Sequence, residues 1–196
     1  MRPVVFTLII CALLLAAPLS QAATVSGTMM IGGARTGGAV VYLEDTQHPV
    51  SRPEGAHAIM DQKDLAFVPR VLPVVRGTVI EFTNSDSVLH NVFTPSAAAG
   101  KFNLGTYSEG ETRSITLDKP GEVLILCNIH MEMAAHILVL NDPYFAVVAQ
   151  DGSYQIPAVP SGTYVLRVWR EGLLPYTQTL QVPASGTLTV ELQVER

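Results

Sequence analysis

Charge and cysteine are both scarce in this chain of 196 residues. Only 15% of the residues are charged, 12 Lys and Arg against 17 Asp and Glu. That balance leaves no basic stripe to neutralise phosphates, which excludes nucleic acid as the main partner. Two cysteines, Cys11 and Cys127, are too few for a disulfide framework. No apolar run reaches the roughly 20 residues that a membrane-spanning helix needs. A sustained 3.6-residue apolar period is also lacking, which excludes a helical bundle. The chain has no Gly-x-Ser-x-Gly elbow, no His-Glu-x-x-His pair and no phosphate-cradling glycine loop, so no hydrolytic site is visible.

What is present begins with an address. Met1 and Arg2 precede an apolar run from Val4 to Ala17, Pro18 breaks it, and Ser20-Gln21-Ala22 supplies small residues at a peptidase site. This pattern predicts a signal peptide over residues 1–22, cleaved after Ala22, with Ala23 as the alternative and an uncleaved anchor as the competing reading. Cys11 leaves with the leader; Ile10 before it is too bulky for lipoprotein processing. The expected mature protein has no membrane span, is exported to a bacterial periplasm, and keeps Cys127 as its one thiol. Such a thiol is a buried small hydrophobe, a bridge to another chain, or a thiolate held by a metal.

Short alternating apolar runs bounded by 13 Pro, 15 Gly and many Asn and Asp predict an all-β fold of antiparallel strands. Strands are expected at Thr24–Met30, Ala39–Leu43, Val74–Thr83, Val88–Phe93, Thr112–Leu117, Val123–Cys127 and His136–Leu140. After Asn141-Asp142-Pro143 come Phe145–Ala149, Tyr154–Ile156, Thr163–Trp169, Thr177–Val182 and Thr187–Val194. Asp118-Lys119-Pro120-Gly121 reads as a turn that makes a hairpin of the strands on either side of it. The stretch from His48 to Lys63 is polar, broken by Pro49 and Pro53, and reads as a connector.

The chemistry gathers in Cys127-Asn128-Ile129-His130-Met131-Glu132-Met133. A thiolate, an imidazole and a thioether recur here at intervals of three, after an apolar strand. Soft sulfur with imidazole suits copper, and a His₂Cys set with a weak axial Met is the electron-transfer arrangement. His90-Asn91-Val92-Phe93 offers the missing imidazole, with His90 on one face with Val88 and Val92, as Cys127 is with Val123 and Ile125. Taken singly, a buried cysteine, a structural histidine and a core methionine would each be unremarkable; their joint order points to metal, with zinc as the chemical alternative. His48, His57 and His136 read as solvated or internally satisfied side chains. Met29 and Met30, being adjacent, face opposite sides of a strand.

Val71 to Leu140 resembles the cupredoxins, the blue-copper family of plastocyanin, pseudoazurin and amicyanin. The likeness rests on Gly77-Thr78-Val79-Ile80-Glu81-Phe82-Thr83-Asn84, Leu89-His90-Asn91-Val92, and Pro120-Gly121-Glu122 leading to Cys127-x-x-His130-x-x-Met133. The short ligand loop is most like that of amicyanin. The resemblance implies a Greek-key β-sandwich holding one type 1 copper ion, with His90 and His130 binding through Nδ1, Cys127 through Sγ and Met133 axially, rather than Met131. It also implies that Asn91 helps to fix the loop that carries His90. Departures are Val123-Leu124-Ile125-Leu126 where the family often has aromatics, Asn128 after the cysteine, and Glu132 before Met133. The paired His-x-His segments of multicopper oxidases are missing, which argues for a relay and against an enzyme.

Asp151-Gly152-Ser153-Tyr154 and Pro160-Ser161-Gly162 followed by Thr163–Trp169 resemble the carboxypeptidase regulatory-like, transthyretin-related Ig sandwich. Val25-Ser26-Gly27-Thr28 and Gly38–Leu43 match the opening of that family. The implied organisation is N-terminal strands over 23–50, a copper domain over 51–141 and a C-terminal sandwich over 142–196. Either the copper domain is inserted into that sandwich, or the sandwich is simply appended. Pairing of strand 39–43 with strand 163–169 distinguishes the two.

The function expected is that of a periplasmic one-electron carrier between redox proteins such as a dehydrogenase or cytochrome, with amine oxidation as an analogy. The alternative is a non-redox copper carrier or sensor whose second sandwich recruits a protein. A mature charge of −6, 11 basic residues against 17 acidic, would favour a basic docking partner.

Overall fold

The structure is a computed structural model that describes residues 22–45, 55–97 and 100–195. Residues 1–21 of the expected leader and His48 lie outside the described residues, whereas Ala22, its expected last residue, is described. The described chain runs through eighteen strands: β1 (Ala22–Ile31), β2 (Ala34–Arg35), β3 (Val40–Asp45), β4 (His57–Lys63), β5 (Ala66–Val68) and β6 (Val71–Val75). Next are β7 (Val79–Asn84), β8 (His90–Thr94), β9 (Phe102–Tyr107), β10 (Thr112–Thr116), β11 (Gly121–Leu126) and β12 (Ala134–Leu140). The last six are β13 (Phe145–Val147), β14 (Ser153–Pro160), β15 (Gly162–Trp169), β16 (Tyr176–Val182), β17 (Gly186–Thr189) and β18 (Leu192–Val194). Among the described residues none is helical and no helix could cross a membrane.

Four sheets make two sandwiches. In the first, the sheet β14-β1-β17, with β2 and β18 also on β1, faces the sheet β13-β3-β15-β16. Val25, Met29, Leu43, Ile156, Tyr164, Leu166 and Leu192 fill the space between them. Gly27 lets β1 approach the neighbouring backbone, since a Cβ there would lie 1.9 Å from the Val190 carbonyl oxygen. In the second sandwich, β10-β7-β4-β5 faces β6-β12-β11-β8-β9. Its core holds Met60, Phe67, Ile80, Phe82, Val92, Tyr107, Val123, Ile125 and Ile137.

The strand that precedes the second sandwich pairs with one that follows it. In register, β3 runs antiparallel to β15, Leu43 opposite Leu166 and Val40 opposite Trp169. The chain thus leaves the first sandwich after β3 and returns to it at β13, with the second sandwich between. The points of departure and return are joined, the Asp45 N–H donating to the Asp142 carboxylate at 3.1 Å.

Strand β12 serves both bodies. Ala135, Ile137 and Val139 face the second core, while Leu138 and Leu140 pack with Val40, Tyr42 and Trp169 of the first sandwich. Beside that seam His136 is buried, bonded through Nδ1 to Glu122 at 2.8 Å, within 3.5 Å of Glu171 through Nε2, and 5.2 Å from the Trp169 ring. The internally satisfied reading of His136 therefore holds.

Several expectations need correcting. The strands flanking Asp118–Gly121 are not a hairpin: β10 pairs with β7, whereas β11 pairs with β12 and β8, so this turn arches from one sheet to the other. A hairpin would place Val123 and Ile125 on the wrong sheet to share a core with Ile80 and Phe82. His57–Lys63 is not connector but β4, lying parallel to β7. The span Val74–Thr83 is two strands on opposite sheets, separated by a turn in which Gly77 has φ 88°. Strands β5 and β9 were not expected, β5 because it has only three residues and β9 because Gly105 interrupts its apolar alternation, and Thr187–Val194 is broken into β17 and β18. The sheets are mixed rather than purely antiparallel, with β6 parallel to β12 and β17 and β18 parallel to β1.

Candidate metal centre

At one end of the second sandwich the ends of two adjacent strands, β8 and β11, bring three donors together. His90 opens β8 and is completely buried, Cys127 directly follows β11 and is 3% exposed, and His130 lies half-buried in the next turn. Their ligand atoms all lie within 4.8 Å of one another, the only such His, Cys, Asp and Glu group among the described residues. The two imidazoles turn Nδ1 toward Nδ1 at 3.1 Å, with ring planes at 65°.

The loop after β11 closes on itself. Cys127 N–H donates to the Met133 carbonyl at 3.3 Å, Met133 N–H donates to the His130 carbonyl at 3.0 Å, and His130 N–H reaches Cys127 Sγ at 3.5 Å. A sulfur that accepts an N–H is better suited to carry thiolate charge. Met133 is 1% exposed and packs in the core that holds Cys127, whereas Met131 is 86% exposed.

The loop before β8 is held from behind. Asn84, fully buried, donates to the carbonyls of Val88 at 2.9 Å and Tyr107 at 3.1 Å, and its Oδ1 accepts from Asp86 N–H at 2.9 Å. Asp86 Oδ2 then meets His90 Nε2 at 2.8 Å. Desolvation is the largest influence on the Asp86 carboxyl and pushes its pKa up. Hydrogen bonds from Leu65 N–H, His90 and Asp64 N–H oppose it, and the balance lies below the ordinary value of 3.8. Asn91 does not reach back to the His90 loop through its side chain; it donates to Asn103 Oδ1 at 2.8 Å and the Gly105 carbonyl at 3.0 Å, tying β8 to β9. Tyr107, in register opposite His90, accepts from Gln62 at 2.6 Å and donates to the Phe82 carbonyl at 3.2 Å. Burial pushes its phenol up to about 12.

All four sequence-derived site residues, His90, Cys127, His130 and Met133, lie at this one end. Asp86 and Asn84 were missed by sequence reading. The signal available for Asp86 was the question of which acceptor, four residues before His90, could take its second ring proton. His57 starts β4 and bonds Glu81 at 2.9 Å, away from this group.

The donor set fits copper. A buried thiol without a disulfide partner lies within 4.8 Å of two imidazole nitrogens, and soft sulfur plus imidazole is the preference of that metal. Residues 55–140 match the family of copper binding proteins of the plastocyanin/azurin type. Residues 139–190 match polysaccharide lyase family 4, domain II, a fibronectin III-like model, where the sequence resemblance had named the carboxypeptidase regulatory-like sandwich. No curated protein matches the chain. Among solved structures, the copper-containing nitrite reductase of Thermus scotoductus is similar at 26% identity and TM-score 0.42, over 48% of this chain and 26% of that one. A reduced tryptophan-to-tyrosine variant of amicyanin is similar at 18% identity and TM-score 0.41, over 51% of this chain and 98% of that one. A purple cupredoxin from Nitrosopumilus maritimus is similar at 21% identity and TM-score 0.37, over 43% of this chain and 99% of that one. The family match and the converging donors together make this chain a cupredoxin-like copper-binding protein, whose residues 55–140 match the plastocyanin/azurin copper-binding family and are joined to a fibronectin III-like β-sandwich.

Proposed function

We propose that this protein is an exported one-electron carrier. In this reading His90 and His130 would hold a single copper ion through Nδ1, Cys127 would hold it through Sγ, and Met133 would add a weak thioether donor. Bound copper would supply exchange between its two valence states; the protein's part is to keep the ligands still while the charge changes. The closed 127–133 turn and the Asn84-pinned loop before β8 do this from opposite sides. The observation that carries the reading is the buried Cys127 sulfur within 4.8 Å of two imidazole donors.

His130 is the ligand nearest to solvent, and exposed Val88, Leu89, Ile129 and Met131 lie on the loops around it. This apolar rim supports a docking face through which an electron leaves by way of His130 to a redox protein such as a dehydrogenase or cytochrome. The signal-like segment over residues 1–22 supports a periplasmic location, and the chain's acidity supports a basic partner. The test is absorption and electron paramagnetic resonance of the copper-loaded chain. An intense visible thiolate band, bleached by ascorbate, restored by oxidant and abolished by Cys127→Ser, is expected. A colourless or irreversible site would instead identify a non-redox copper carrier or sensor.

A further inference from the structure

The β4–β5 hairpin turns through Asp64 and Leu65, which have φ 54° and 58°. A two-residue hairpin turn of this kind needs two left-handed residues, and Asn-Gly or Asp-Gly is the usual solution. Leucine there is strained, because its Cβ crowds the following carbonyl. It is also 44% exposed, so burial of the leucine side chain does not compensate. What opposes the strain is one carboxylate on another loop. Asp86 Oδ1 accepts from Asp64 N–H at 2.7 Å, and Asp86 Oδ2 accepts from Leu65 N–H at 3.0 Å.

The same Oδ2 meets Nε2 of His90 at 2.8 Å. A carboxylate at neutral pH only accepts, so His90 must place a proton on Nε2. That leaves Nδ1 as the unprotonated nitrogen, an acceptor that faces His130 Nδ1 at 3.1 Å. The Asp86 side chain is only 14% exposed, and its own N–H is held by the buried Asn84, so the carboxylate is fixed before any metal arrives.

We propose that Asp86 is a positioning residue for the copper site, binding the strained Asp64–Leu65 turn and the Nε2 edge of His90 with one carboxylate. The proposal rests on the copper reading above and deepens it. Through this link the turn that displays Leu65 and the ring that presents Nδ1 share a single anchor. A ligand oriented by an outer carboxylate is more basic and better aimed, and losing such a partner typically costs 10–100-fold in metal affinity.

The two roles separate by mutation in the full chain. Leu65→Gly removes the strain and leaves the His90 bond, whereas Asp86→Ala removes both supports. The double variant has a turn that no longer needs Asp86 but a His90 still without its acceptor. Copper(I) affinity, measured by competition with a chromogenic chelator, should be unchanged in Leu65→Gly. It should fall roughly 10–100-fold in Asp86→Ala and stay equally low in the double variant, while Leu65→Gly recovers the thermal stability that Asp86→Ala loses. In the metal-free protein, the His90 Nε2 proton should exchange slowly by NMR in the wild type and in Leu65→Gly, and fast in both variants lacking Asp86. Affinity within twofold of wild type in the double variant, or a His90 ring proton indifferent to Asp86, would overturn the proposal. If the wild type takes no copper, the copper reading fails, and the ring-proton measurement still decides whether Asp86 anchors His90.

Discussion

Cys127 and Met133 are joined through their backbones, the N–H of the first donating to the carbonyl of the second at 3.3 Å. This bond draws the Met133 side chain into the core beside Cys127 and leaves Met131, two residues earlier, outside. The two methionines should therefore answer to different measurements.

Met133→Leu roughly conserves volume, so its cost in stability should stay below about 1.5 kcal/mol. Losing any donor costs the more highly charged ion more, so removing the thioether should raise the reduction potential while the visible thiolate band persists. Met131→Ala should leave potential and spectrum alone and slow bimolecular electron transfer by up to about tenfold, the effect of losing one contact of the docking face. Voltammetry and stopped-flow kinetics separate the outcomes; a potential that moves with Met131 and not with Met133 would reverse the axial assignment.

Trp169 joins the two sandwiches. Its indole Nε1–H donates to Glu122 at 3.2 Å, its ring lies against His136, and it packs with Val40, Leu138 and Leu140. Trp169→Ala should cost about 2 kcal/mol in denaturant unfolding, from lost packing and an orphaned carboxylate contact. The thiolate band at the far end of β11 should be unaffected.

Asp142 gives the pH prediction. Desolvation, then the nearby charges of Asp45 and Glu44, raise its carboxyl above the ordinary value of 3.8, although the Asp45 N–H and Arg76 oppose this. A native state that binds the proton more tightly than the unfolded chain loses stability as pH rises through that interval. The contribution is complete below 3.8 and gone above the raised native value. Asp142→Asn keeps an acceptor for the Asp45 N–H and removes the charge. It should raise the melting temperature at neutral pH by roughly 2 °C and show no such gain at pH 3. A lowered melting temperature at pH 7 would show that the charge is compensated.

The candidate ligands were legible because three of them sit within seven residues and the fourth lies in a His-Asn-Val strand start. The supports were not. Strand β4 hid because its inward positions are Met60 and Gln62, and a buried glutamine bonded to Tyr107 does not look like core in a sequence. The Asp118–Gly121 turn is written the same way whether it closes a hairpin or crosses between sheets; only the pairing of β10 with β7 decides. Asp86 hid for a third reason. It stands among Asn84, Ser85 and Ser87, an ordinary loop composition, and its task depends on His90 and on a turn some twenty residues earlier.

Strand β12 has no spare side. With Ala135, Ile137 and Val139 in one core and Leu138 and Leu140 against the other body, neither half can melt without exposing apolar surface that belongs to its neighbour. Heating should therefore give one calorimetric peak for the whole protein. The buried Cys127 thiol then stays covered until everything lets go at once.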